Sequence, residues 1–252
     1  MESMNPTLFD IVIPIGPDDA TVFLKQIEYT KRNIIGYRNI YLIIFDARIQ
    51  VEGCITISES IFPFSKQDVV KYHGYTTRQG WYLQQLLKLY AGFVIPGILE
   101  KYLVIDADTF FLKPTKFIEN GEYLFNISFD CHAPYFQHMN TLHESFNRHY
   151  VNISGICHHM IFDTICLKHL FELVENHHND VFWNIFLKSV DIADYEFSGS
   201  SEYEIYFNYM LNYHYYKMNL RKLKWKEVGS VQNTSEYEEE GYDYVTCHWY
   251  WR

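Results

Sequence analysis

Apolar residues in this chain gather into short runs separated by polar turns. The first run, residues 9–15 (FDIVIPI), ends at Gly16-Pro17-Asp18-Asp19, which predicts a buried strand, a turn and a helix start. From 20 to 33 the spacing becomes helical, with Val22, Phe23, Gln26, Ile27 and Thr30 recurring on one side. Residues 40–45 (IYLIIF) make a second strand closing on Asp46, and 54–58 (CITIS) a shorter third. The segment 78–94 (RQGWYLQQLLKLYAGFV) predicts a long helix stopped by Pro96-Gly97. A further strand, Tyr102 to Asp108, follows within YLVIDADTFFLKP. Strands apolar almost throughout, alternating with helices, predict a parallel sheet covered on both faces.

The second half is less regular. Residues 153–162 (ISGICHHMIF) predict a strand, and Asp163 stands where it would cap a helix over 165–178. Helical spacing returns over 181–190 and 198–211, while 215–220 and 224–230 alternate. The acidic run EYEEE at 236–240 is expected to be a solvated loop, and the chain finishes YVTCHWYWR. With no internal repeat and no low-complexity linker, a single α/β domain over 1–252 is the expected organisation.

Composition narrows the function. At 252 residues and 48% hydrophobic, the chain can build a substantial core. Its 22 Tyr and 19 Phe suit stacking on bases or sugar rings as well as core packing. A net charge of −10 with no Lys/Arg stripe argues against a nucleic-acid binder, since nothing supplies the phosphate-backbone attraction. Small anionic ligands remain compatible where a divalent cation neutralises them. Five scattered cysteines without a C-x-x-C suggest free thiols in a reducing compartment. No secretory pattern opens MESMNPTLFD and no apolar run is long enough to span a bilayer, so a cytoplasmic protein is expected. The N-x-[ST] triplets at Asn126, Asn152 and Asn233 carry no weight there.

The candidate chemistry centres on Asp106-Ala107-Asp108. In a strand both carboxylates would point one way and Ala107 the other, just where open α/β sheets take ligands. Two close carboxylates repel unless a cation neutralises them, and Mg²⁺ or Mn²⁺ favours such oxygen ligands. The same letters also suit a plain turn, so D-x-D alone is a weak signal.

Further motifs sharpen it. An early VIPIG strand, WYLQQLLKL in the long helix, YLVIDADTFFLKP, HHMIFD and SEYEIY together resemble GT-A glycosyltransferases. The likeness is closest to family 8 and to less-studied bacterial and large-DNA-virus relatives, and it spans roughly residues 9–250. It implies a GT-A, Rossmann-like fold: a mostly parallel central sheet flanked by helices, in a single domain. Approximately 1–114 would be the nucleotide-binding half and 115–252 an irregular acceptor and donor-sugar half. It also implies transfer of a sugar from a nucleotide-sugar, most simply a UDP-sugar, to a hydroxyl acceptor, with Mn²⁺ or Mg²⁺ on the D-x-D pair. Asp106, Asp108 and His248 are then the metal candidates. Asp46 matches the position that reads the base, with Ile13, Pro14 and Ile15 as its wall.

On the long helix, Arg78, Trp81, Gln85 and Lys88 share a stripe. The resemblance implies that Arg78 or Lys88 touches a diphosphate or ribose, with Gln85 alongside, and a solvated basic edge on a core helix is the equal alternative. Ala107, His158 and His159 complete the donor-side candidates, the two histidines facing opposite sides of their strand. Ser201 and Glu204 fit a capping box, which leaves Glu202 as candidate base for an inverting enzyme, or as a binding group for a retaining one. Two surface carboxylates favouring a helix N-terminus are the plainer reading. His132, His138, His143, His149, His177 and His178 lack metal spacing and are expected at the surface.

The family 8 tail G-x-x-K-P-W is missing, so either Arg78, Lys88 or Arg252 would replace its lysine or the metal would do more of the work. Rival readings are an inactive nucleotide- or glycan-binding module on the same fold and a haloacid-dehalogenase-type phosphatase. The phosphatase needs Thr or Val two residues after the second Asp, where Phe110 stands. A place within a longer, multidomain chain also remains open.

Overall fold

The structure, a computed structural model, describes residues 8–248 and Tyr250. The first half runs β1 (Phe9–Ile15), α1 (Phe23–Asn33), β2 (Ile34–Ile35), β3 (Tyr37–Ile44), β4 (Ile55–Ser58), α2 (Lys66–His73), α3 (Gln79–Val94) and β5 (Lys101–Ile105). Then come β6 (Thr109–Phe111), β7 (Thr115–Lys116), β8 (Ile118–Glu119), β9 (Glu122–Asn126), α4 (Ala133–Leu142) and β10 (His159–Asp163). The remainder is α5 (Thr164–His178), α6 (Phe182–Lys188), α7 (Glu202–Tyr213), β11 (Met218–Arg221), β12 (Trp225–Glu227), α8 (Ser235–Glu239) and β13 (Tyr244–Thr246).

The central sheet has the order β10-β5-β1-β3-β4. Neighbours β5, β1, β3 and β4 are parallel, and β10 joins β5 antiparallel. Every residue of β1 is buried, as expected for a central strand covered on both faces. The mostly parallel α/β architecture read from the apolar runs is therefore the one found. Smaller sheets, β11-β9-β8 and β12-β13-β6, are built from the later strands, and the pair β2-β7 ties an early segment to a later one. One buried cluster extends from Phe9 to Tyr244 and so joins both halves; a smaller one gathers Val22, Phe110, Leu112, Val228, Val231, Val245 and Cys247.

Local chemistry fixes the joints. Among the described residues no further strand joins the β6 edge, and α1 covers it with side-chain amides: Gln26 Nε2 donates to Thr109 O (3.2 Å) and Asn33 Nδ2 to Phe111 O (2.5 Å). Asp163 caps α5, accepting from Ile165 N at 2.9 Å, and Asn179 ends that helix in the left-handed region.

Three expectations change. The strand from Tyr102 stops at Ile105, because Thr109 N donates to Asp106 O (3.0 Å) and closes a turn. The acidic run is largely helix α8. Residues 153–158 precede β10 rather than belonging to it. Among the described residues no helix is long and apolar enough to cross a membrane.

Candidate functional site

Asp106 and Asp108 lie in the turn between β5 and β6, at the carboxyl end of a parallel strand. The strand alternation expected for them does not apply, and each aspartate has its own partners. Both partner histidines arrive on antiparallel neighbours. His159 pairs with Ile105, and the ladder continues as Asp106 N donates to His158 O (3.0 Å), setting His158 beside Asp106. Thr246 pairs with Thr109, Cys247 N donates to Asp108 O (2.9 Å), and His248 falls beside Asp108.

Asp106 faces a buried ammonium. Lys88 Nζ is 2.6 Å from Asp106 Oδ1 and 2.6 Å from Glu202 Oε1. The Tyr203 hydroxyl donates to the same Asp106 Oδ1 at 2.8 Å, and Lys88 lies over the Tyr203 ring. The other oxygen, Oδ2, is 3.6 Å from His158 Nδ1. Burial would raise the Asp106 pKa, but the Lys88 charge and His158 outweigh it and hold the carboxyl below its usual range. Burial would likewise lower Lys88, and Asp106 with Glu202 raises it instead. Glu202 moves up, because burial exceeds the effect of Lys88.

Asp108 Oδ2 is 2.9 Å from His248 Nδ1, and His248 Nε2 is 3.5 Å from Glu227 Oε1. Burial lowers the imidazole, yet the hydrogen bond and charge of Asp108, with Glu227, leave its pKa above the ordinary value. The His158 and His248 rings are 5.0 Å apart, which makes the two aspartate–histidine pairs one cluster. Trp225 closes a side, edge-on to His158 and stacked on Tyr244. His158 holds a left-handed backbone (φ 60°), an uncommon state for a non-glycine residue and one often found at functional positions.

Several expected roles change. Lys88 is no solvated basic edge: only 4% of its side chain is exposed, and both carboxylates occupy it. Glu202 has a structural partner after all. Ser201 caps α7 by accepting from Glu204 N, but the Glu204 carboxylate turns to Ser154 and Asn208, so the reciprocal bond of a capping box is not made. Gln85 supports the helix start, its Oε1 accepting from Ser200 Oγ (3.1 Å) and Glu202 N (3.2 Å).

Arg78 binds Ser198 Oγ and the Phe197 carbonyl and lies over Trp81. Asp46 is paired with Arg48, whose hydrogen bonds bring its pKa down to about 2. Ile13, Pro14 and Ile15 are buried in β1, and Ala107 is buried in the turn. His159 points into the core among Phe111, Phe117 and Tyr244. His138 is also buried, against Phe186 O, rather than at the surface. Arg252 lies outside the described residues.

Tyr203, Trp225 and Glu227 were not anticipated. SEYEIY places Tyr203 beside Glu202 in sequence, the one available hint. A cleft of about 500 Å³ lies nearby, lined by Thr21, Val22, Lys25, Gly229, Val231 and Cys247; it shares Cys247 with the site but none of the charged cluster.

The donor types suit a divalent ion, since carboxylate oxygen and imidazole nitrogen are groups that Mn²⁺ accepts. Among the described residues, however, no three His, Cys, Asp or Glu side chains already converge as a metal cage.

Fold and site together define an α/β protein with a carboxylate–lysine–histidine cluster at the carboxyl edge of its parallel strands. The chain belongs to the family described as "Family of unknown function (DUF6492)", which it matches over residues 42–236. No curated protein sequence matches it. Among solved structures, mouse xyloside xylosyltransferase 1 in its apo form is similar at a TM-score of 0.44 and 10% identity, covering 96% of this chain and 98% of that one. The galactosyltransferase LgtC, in complex with donor and acceptor sugar analogs, is similar at a TM-score of 0.48 and 8% identity, covering 94% and 86%.

Proposed function

We propose that this chain is a metal-dependent glycosyltransferase that moves a sugar from a nucleotide-sugar, a UDP-sugar in the first instance, to a hydroxyl acceptor such as a glycan. The observation that carries the reading is the turn closing β5, where Asp106 and Asp108 stand at the carboxyl edge of the parallel strands with an imidazole beside each. Open α/β sheets take their ligands at that edge.

Asp108 and His248 are the residues that would hold Mn²⁺ or Mg²⁺, with Asp106 Oδ2 on the same side of the cluster. Such a cation, when bound, neutralises a diphosphate leaving group as a Lewis acid. This chain's own groups orient the rest. Tyr203 and Lys88 fix Asp106, and His158 with Trp225 forms a half-open wall suited to a sugar ring. Asp46, two residues past the end of β3, is assigned to the base, and Arg78, partly exposed at the start of α3, to the phosphates. No disulfide links the cysteines among the described residues, which supports a reducing compartment such as the cytoplasm.

The test is release of nucleoside diphosphate from a panel of nucleotide-sugars with Mn²⁺, for the wild type and Asp108→Ala. Metal-dependent release by the wild type, lost in a folded variant, supports the reading. Nucleotide binding without any turnover points instead to a non-catalytic module.

A further inference from the structure

Lys88 joins a carboxylate from one half of the chain to a carboxylate from the other. It comes from α3, Asp106 from the turn after β5 and Glu202 from the first turn of α7. Side-chain exposure is 4% for Lys88, 16% for Asp106 and 5% for Glu202. An ammonium has three N–H donors, and these carboxylates take two of them. Asp106 Oδ1 is held a second time by Tyr203, and the Glu202 backbone is held by Gln85. Asp106 Oδ2 is left on the His158 side.

We infer that Lys88 is a positioning residue for the proposed transfer, and that Glu202 is its counter-ion rather than the group that deprotonates the acceptor. The inference takes its reaction from the glycosyltransferase reading, but its geometry stands without it. A general base must come within hydrogen-bond reach of the acceptor hydroxyl and offer it a lone pair. Glu202 is closed to solvent, with Lys88 on its Oε1. Its contribution is to hold the ammonium, and the ammonium holds Asp106 in a single orientation. A lysine bound to two carboxylates leaves one negative charge over, so the trio still presents an anionic face to the site.

The experiment compares Glu202→Gln, Lys88→Arg and Lys88→Met for kcat and KM, and urea midpoints for Lys88→Met, Glu202→Gln and the double variant. Glutamine still offers an oxygen to Lys88, so Glu202→Gln is expected to lower kcat by less than about tenfold and to move KM as well, whereas loss of a general base costs about 10²–10⁴ in kcat. Lys88→Arg should recover part of what Lys88→Met loses. A hundredfold or greater fall in kcat for Glu202→Gln at unchanged KM overturns the inference.

If the wild type turns over no nucleotide-sugar, the glycosyltransferase reading fails and the urea midpoints judge the ion cluster alone. Lys88→Met then strands two buried carboxylates, and adding Glu202→Gln should raise its midpoint. Should Lys88→Met not fold, Lys88→Gln, which keeps a donor but removes the charge, gives the same comparison with and without Glu202→Gln. Strictly additive midpoints contradict the cluster.

Discussion

Asp163→Ala should destabilise the fold well beyond the loss of a helix cap. Asp163 is 2% exposed, and both its oxygens are engaged. Oδ1 accepts from Ile165 N at 2.9 Å and Cys166 N at 3.4 Å, while Oδ2 accepts from the Tyr123 hydroxyl at 2.5 Å. The cap is worth about 1 kcal/mol. The stranded Tyr123 hydroxyl, on a side chain that is itself buried, adds about 1–3 kcal/mol. Lys217, 3.5 Å away and 30% exposed, adds little. The total is about 2–4 kcal/mol, which at about 2–4 °C per kcal/mol lowers Tm by roughly 5–15 °C. Asp163→Asn keeps one oxygen for the cap and turns an NH2, which donates to the Tyr123 oxygen, toward the other partner, and should cost less than Asp163→Ala.

The effect is pH-dependent with a defined sign. Burial raises the Asp163 pKa, but the Tyr123 hydrogen bond and the Lys217 charge outweigh it, so the folded value lies below the unfolded one. Its stabilisation is therefore complete above about pH 4–5 and disappears as pH falls through the folded pKa. Urea unfolding of wild type and variant from pH 3 to pH 8 measures this directly. A loss under about 1 kcal/mol at pH 7, or a difference that grows on acidification, refutes the reasoning.

Other predictions can be checked alongside. Gly92→Ala places a Cβ 2.3 Å from Thr164 Oγ1 and 2.7 Å from Tyr102 Cε1, so it should destabilise by about 1–3 kcal/mol despite alanine's better helix propensity; a more stable variant contradicts the packing of α3 on β5 and α5. Tyr203→Phe removes a donor to Asp106 without changing the ring, and should weaken donor binding severalfold while Tm moves by only a few degrees, read by isothermal titration and melting. His248 has a raised folded pKa, so the stability it adds is present below about pH 6.5 and fades as pH rises through that folded value; a His248→Gln variant whose deficit grows with pH contradicts this.

The sequence was most legible where one pattern ran through a whole element. β1, β3, α3 and α5 fall close to their expected limits because each keeps one period from end to end. α2 is marked in the sequence only by the Ser65–Asp68 capping box, a four-residue signal that sets a helix start but not its length. The end of β5 is not legible in the sequence, because Asp106-Ala107-Asp108 fits a strand as well as the turn that Thr109 N closes.

The site divides in the same way. The aspartates and His248 are visible as residue types at element ends, and their neighbourhood follows from sheet topology. The roles of Lys88 and Glu202 are not visible, because a helical stripe shows which side a lysine takes but not which element packs on that side. α7 covers Lys88, and that contact joins positions 114 residues apart.

The decisive measurement of metal-dependent nucleotide binding at Asp106 and Asp108 is thermal stabilisation by UDP, GDP, ADP and CDP, each with and without Mn²⁺. A nucleotide at a hundred times its Kd adds about 2.7 kcal/mol, or roughly 5–10 °C in a chain of this size. One nucleotide should give such a shift, in the presence of Mn²⁺ alone, and Asp108→Ala should lose it. Equal melting with every nucleotide, with or without the ion, would contradict such binding and leave Asp106 and Asp108 as a polar turn held by Lys88 and His248.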